Sequence, residues 1–397
     1  MEKKIPKLFS NYLLIYLTFL LLLSVVFMSK TYDLETNNAI AEWIINYQGS
    51  FGRRGLLGEI FVQISLLTDI KLKSIVLYFL IIIHFIYYYL VYLTFKQIKF
   101  DFIFILCFCS PLFIIFPLTE LEALGRKDIL IPLFFIIFCY LYQRFNFYRL
   151  SLFLLLAYSS LLLIHEVSIF YLPYFYFFLI LKFDLFDVKN YFIIIFISIF
   201  FLLIVYLLSQ STHSQLDINK MCNFLMNSLE TKCGLGAFVL DRSLKDNIRE
   251  LSGISFIDIA RGIWIFFLGY LGLILLIFKT GYKKANNILF KNFKPASLVF
   301  LFFLPTLTPF FIAVDWGRWF NLSYTMSLLF YCFCYNNNFF NFTNNSFSKK
   351  LKKISNIKSL SFTLIFLICF SWNPKAVYHE DIGSIPLYRI VTKVVKY

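Results

Sequence analysis

Apolar runs recur along the whole chain. They lie near residues 11–27, 74–94, 102–118, 129–142, 151–164, 167–182, 191–209, 255–278, 296–312, 319–335 and 359–373. Several approach or exceed the roughly 18 residues that a helix needs to cross a bilayer. In hydrocarbon the backbone must satisfy its own polar groups, so runs of this kind fold as helices. The pattern predicts an all-α, polytopic integral membrane protein with about eleven transmembrane helices and outer-face juxtamembrane helices. Residues 1–397 then form a single transmembrane domain, with an outer segment at 29–73 and a central outer loop at 210–252.

Composition narrows the alternatives. Of the 397 residues, 60% are hydrophobic, and 53 are Phe. A soluble fold always keeps a polar shell and cannot hide that much apolar surface. The net charge of +15 would suggest nucleic-acid binding in a soluble protein. Here it follows from lysines clustered between spans, as the positive-inside rule requires, and no nucleic-acid partner is expected. With the N-terminus inside, KQIK, QRFNFYR, KFDLFDVK, KTGYKKANNILFKNFK and SFSKKLKKISNIK all fall on the inner face. That orientation depends on splitting 151–182 into two short helices. The first apolar run has no small-residue cleavage site after it and reads as a retained span. The expected location is the inner (cytoplasmic) membrane, multi-pass. Cys222 and Cys233 share one polar loop and can pair if that loop is outside.

The remaining charges then gather at the outer turns. Ionisable groups this close to hydrocarbon are costly unless they pair or line a wet cavity. In SFGRRGLLGEIF, glycines surround Arg53 and Arg54, and Glu59 follows. Two guanidinium forks make a strong phosphate clamp, and Glu59 can orient one of them. The plainer reading is an interfacial helix with snorkelling arginines. Before it, Ala39–Tyr47 can form an amphipathic helix, with Trp43 and Tyr47 at headgroup level. In LTELEALGRKDIL, Arg126 and Lys127 are further anion-binding candidates. Gly125 either breaks the helix there, or the helix continues and Glu122 pairs with Arg126. In LLLIHEVSIFYLP, His165 and Glu166 interrupt an apolar run. His165 can relay a proton, and Glu166 can act as base or as its orienter. In VDWGRWFNLSY, Asp315, Arg318 and Trp319 can bind hydroxyls or phosphate and stack on a sugar ring; an aromatic belt is the plainer reading.

Carboxylates, arginines and aromatics at outer turns suit a lipid-linked phosphate substrate. In this layout the chain resembles the GT-C class of membrane glycosyltransferases and the Wzy-type O-antigen or capsule polymerases. In GT-C enzymes an acid follows the first span, and TYDLETNNAIAEW resembles that segment. The resemblance implies a catalytic-base role for Asp33, with Glu35 behind it. A second acidic position after the third span falls on TELEALGRKD, at Glu120 or Glu122. Wzy-type proteins resemble the chain in span number, outer arginines and a larger central outer loop. The catalytic candidates are Asp33, Glu122, His165 and Glu166. The implied function is glycosyl transfer or glycan polymerisation on the outer face, with a polyprenyl (di)phosphate-linked sugar donor. A divalent metal ion can assist, held by Asp33 and Glu122, although no spacing demands one. Expected partners are the lipid-linked glycan substrate, membrane lipids and other envelope polysaccharide-assembly proteins. The competing class is a transporter or flippase for a lipid-linked glycan, with no bond-forming chemistry.

Overall fold

The structure is a computed structural model that describes residues 7–32, 37–98, 101–182, 187–211, 213–241, 244–282, 294–342, 357–377 and 385–396. Among these the protein is all-α. The longer helices are α1 (Lys7–Thr31), α2 (Leu56–Thr68), α3 (Leu72–Phe95), α4 (Phe102–Phe108), α5 (Leu130–Arg144), α6 (Phe147–Ile164), α7 (Leu172–Leu181) and α8 (Val188–Gln210). They continue as α9 (Gln215–Leu229), α10 (Leu244–Leu251), α11 (Phe256–Phe278), α12 (Pro295–Phe303), α13 (Trp316–Asn336), α14 (Lys358–Ile365) and α15 (Pro386–Lys396). Sheet among the described residues is limited to two short antiparallel strands, β1 (Thr280–Tyr282) and β2 (Phe340–Phe342). Among the described residues five helices are long and apolar enough to cross a membrane: most of α1, and α3, α6, α8 and α11.

Other apolar runs are broken, and proline explains most of the breaks. The run 102–118 is not one helix. It stops at Phe108, turns, and resumes as a short helix over Phe116–Thr119. Pro111 has no N–H to donate and disfavours helical backbone at Ser110. Ser110 instead donates its hydroxyl to the Gly269 carbonyl at 3.1 Å. The run 296–312 passes from α12 into a 3₁₀ segment, Leu304–Phe311, that holds Pro305 and Pro309. The run 151–182 divides at His165, whose backbone is extended (φ −156°, ψ 95°). A 3₁₀ segment, Glu166–Tyr171, follows, and α7 starts afresh with Pro173 in its first turn.

The chain folds as two compact units. The first comprises Met1–Leu23, Tyr88–Ala123 and Ile248–Tyr397; the second comprises Ser24–Tyr87 and Leu124–Asn247. In the first, α4 packs on α11, and α13 is buried along nearly its whole length. An apolar cavity of about 360 Å³ lies beside α11, lined by Tyr270, Phe300 and Phe303 among others. Helix α15 is amphipathic with its polar side inward. Arg389 and Ile390 are buried, whereas Leu387, Tyr388, Val391 and Val395 are exposed.

In the second unit, α5, α6 and α7 share an aromatic core. Phe175 meets Phe135, Phe138 and Tyr158 at ring-centroid distances of 5.3, 5.3 and 4.9 Å. Helix α8 packs on α6 through Phe201, which lies against Tyr158. Its other side exposes Phe192, Phe196, Ile199 and Leu203. A contiguous apolar face of that kind is stable against hydrocarbon and a liability against water. Cys222 and Cys233 are joined by a disulfide.

The expected amphipathic helix over 39–47 takes a different form. The helix spans Asn38–Ala41 and tightens to a 3₁₀ turn over Glu42–Ile44. Ile40, Trp43 and Ile44 are each no more than 1% exposed, so this face packs inside the protein rather than at headgroup level. Asp33 and Glu35, and the lysine-rich loops at 283–293 and 346–356, lie outside the described residues.

Candidate functional site

The second unit gathers charge where its helices stop. The Gly52–Gly55 turn feeds α2, and Arg54 sits in it with φ 67°, a left-handed backbone rarely adopted by a side chain of this size. Holding a non-glycine residue there costs on the order of 1–3 kcal/mol. Two contacts hold it. The Arg54 guanidinium grips Glu166 with Nε at 3.0 Å and Nη2 at 2.8 Å from Oε1. The Lys127 amine donates to the Arg54 carbonyl at 2.8 Å. Close packing below the turn requires Gly58, because a Cβ there would lie 1.9 Å from the Ile45 carbonyl oxygen.

A second layer joins this one through Glu42. Its Oε1 accepts from Arg126 Nη1 at 2.8 Å and lies 3.8 Å from Arg54 Nη1. Gly125, at φ +78°, breaks the chain before Arg126 and turns its carbonyl to the Trp43 indole N–H, 2.5 Å away. Of the two sequence readings at this point, the break holds and Arg126 pairs with Glu42. Lys127 is fully buried, with its amine 5.8 Å from the centre of the Trp43 ring. Arg53 donates to the Leu240 carbonyl at 3.3 Å. His165 Nε2 lies 2.7 Å from Asp128 Oδ1, and the ring is 1% exposed.

The electrostatics follow from burial set against pairing. Burial pulls the Lys127 amine from 10.5 down to about 7, although Glu42 and Glu166 oppose it. Burial also lowers Arg53, against the pull of Glu166. Burial alone would raise the Glu166 carboxyl. The Arg54 charge and its hydrogen bonds outweigh that effect, with help from Arg53, and hold it well below the usual carboxylate range. Glu166 is therefore an anchored anion and a weak base while Arg54 grips it.

Of the residues singled out in sequence, the structure brings together Arg53, Arg54, Arg126, Lys127, His165 and Glu166. Glu59 does not orient a guanidinium. It accepts from the Tyr47 N–H at 3.0 Å and from the Gln48 and Gln63 amides at 2.8 Å, and so fixes the chain ahead of the arginine turn. Glu122 is exposed in a turn of the first unit. Asp315 and Arg318 pair at 2.6 Å in that unit, and the Arg318 guanidinium lies 5.0 Å from the centre of the buried Trp319 ring. That ring face meets protein instead of standing open for a sugar. Glu120 is bound there by Arg389 and the Ala376 N–H. Asp33 lies outside the described residues, so its role is untouched by this geometry.

Sequence reasoning missed Glu42 and the pairing of Asp128 with His165. Glu42 sat inside what read as an amphipathic helix, where an acid looks like part of the wet face. Asp128 and His165 are 37 positions apart, and no local spacing links them. Among the described residues no cluster of three or more His, Cys, Asp or Glu is arranged to hold a metal ion. No known protein family, curated protein or solved structure matches this chain.

Proposed function

We propose that the second unit's charged cluster is the catalytic centre of a membrane glycosyltransferase or glycan polymerase that uses a polyprenyl (di)phosphate-linked sugar donor. One observation carries this reading. Among the described residues Arg54 grips Glu166 and lies near Glu42, Arg126 pairs with Glu42, the Lys127 amine meets the Arg54 carbonyl, and Asp128 pairs with His165, in a largely buried setting. A set of ion pairs built only to hold helices together does not need a strained Arg54 backbone. Guanidinium forks recognise phosphate as well as they recognise carboxylate. An incoming phosphate competes with Glu166 for Arg54, and charge developing on the departing phosphate is met by groups already in place. The exposed apolar face of α8, in the same unit, suits a lipid-borne substrate. In this reading the chain lies in the inner membrane with about eleven spans, the shorter broken helices included. The cluster faces outward in this reading.

The experiment uses the full chain in lipid with radiolabelled polyprenyl diphosphate-linked glycans, with products separated by size. Longer or newly glycosylated products support the reading. Transfer of labelled lipid-glycan across the bilayer with no new glycosidic bond would replace it with a flippase. Labelling of cysteines placed at Ser50 and Lys283 from the same side would overturn the topology.

A further inference from the structure

We propose that His165 is the proton acceptor of this centre and that Asp128 is the residue that positions it, an assignment that rests on the glycosyl-transfer reading. The argument begins with the backbone. At the end of α6, His165 leaves the helix with extended geometry, yet its N–H still donates to the Leu161 carbonyl at 2.8 Å. Its own carbonyl accepts from the Ser168 N–H at 3.0 Å. The residue is thus fixed on both sides at a break, where its side chain is released from the helical ladder.

The side chain is fixed as well. An ionised carboxylate only accepts hydrogen bonds, so the ring nitrogen beside Asp128 Oδ1 carries the proton. That nitrogen is Nε2, at 2.7 Å. In the neutral ring Nδ1 then carries the lone pair. Nδ1 is buried and meets no hydrogen-bond donor among the described residues. An orphaned buried polar atom is costly, and such atoms are rare in folded proteins. A fold that spends a carboxylate to orient the ring and leaves the basic nitrogen unfilled is arranged for a donor that arrives from outside. A sugar hydroxyl is such a donor.

The same break sets the acceptor beside the leaving-group machinery. Glu166 follows His165 directly and holds the Arg54 fork. In the reaction, the acceptor O–H bond breaks and its proton passes to Nδ1. The hydroxyl oxygen bonds to the anomeric carbon, and the anomeric C–O bond to phosphate breaks. Its electron pair leaves on the phosphate oxygen, toward the arginines. Asp128 stabilises the imidazolium, which then releases its proton to water or to the leaving phosphate. No oxidant or reductant is needed.

The test has two arms on the full chain in nanodiscs. In the first, histidine is labelled with ¹⁵N, and the His165 signal is found among the protein's four histidines by its loss in His165→Gln. The neutral ring should show a protonated Nε2 and a bare Nδ1, and Asp128→Asn should disturb that preference. A protonated Nδ1 in the wild type overturns the proposal whatever the activity. In the second arm, donor binding and product formation are measured on one preparation. In His165→Gln the amide can still meet Asp128. It should bind donor within a few-fold of wild type and turn over about 10²–10⁴ times more slowly. Asp128→Asn should lower kcat with KM nearly unchanged. Unaltered turnover in His165→Gln, or collapse in a parallel Asp33→Asn alone, sinks the base assignment while glycosyl transfer stands. A wild type that forms no product from any labelled donor sinks the functional reading, and the base assignment with it.

Discussion

Both units bury charge, and they use it differently. In the first unit two of the pairs are local: Asp315 holds Arg318 one helical turn away, and Asp258 holds Arg261 likewise. Glu120 is clasped by Arg389 of α15, with Lys393 and Lys375 also acting on it, and so fastens α15 to the chain. In the second unit Glu42 serves two arginines, Arg54 sits on a strained backbone, and Lys127 is stripped of water. A fastening needs two opposite charges and a good geometry. In the second unit a strained backbone at Arg54 coincides with the perturbed acidity of Lys127 and Glu166, a combination suited to meeting a charged ligand.

The contrast breaks most readily at Arg54. Arg54→Lys keeps the charge and loses the fork, so turnover should fall at least ~100-fold while the protein still accumulates in the membrane. Normal turnover in that variant would make the second unit's cluster another fastening. Glu120→Gln should do the reverse. Leaving Arg389 without its partner should cost about 3–5 kcal/mol of stability, read as a lower unfolding temperature in detergent, with turnover per folded molecule within a few-fold of wild type.

Lys127 gives a pH signature. Its amine ionises near 7 when folded and at 10.5 ordinarily. Between these values the unfolded chain binds more protons, so stability rises with pH across that window and is lost as pH falls toward 7. The slope from this group approaches ~1.4 kcal/mol per pH unit. Lys127→Met should flatten the thermal-stability profile between pH 7 and 10 relative to wild type, and parallel profiles would show that the amine is not desolvated. The smallest effect belongs to Arg261, which is partly exposed: Arg261→Gln should change stability by no more than ~0.5 kcal/mol by the same detergent assay.

Much of the helical plan was legible, because long apolar runs have few alternatives in hydrocarbon. The division at His165 was legible too: a charged pair in an otherwise apolar run announces a break. The break after Phe108 was not, because apolar residues on both sides of Ser110–Pro111 mask a proline whose effect is local. Helix α15 lies beyond the last apolar run, and its valines alternate with cations in a way that hydropathy averages away. The candidate site was half legible. Its arginines, lysine, histidine and Glu166 stand out against apolar neighbours, whereas the pairing of Glu42 and Asp128 depends on contacts distant in sequence.

The Cys222–Cys233 bond has a practical consequence for anyone who makes this protein. The loop it closes, 222–233, is flanked by His213, whose Nδ1 meets the Ser50 hydroxyl at 2.9 Å, and by Leu240, whose carbonyl receives Arg53. The chain on both sides of the loop therefore touches the segment that carries the arginine turn. Maturation of the centre is tied to the thiol chemistry of the compartment where that segment folds. Material expressed under reducing conditions, or purified in dithiothreitol, should carry a loosened arginine turn beneath an otherwise intact helical scaffold.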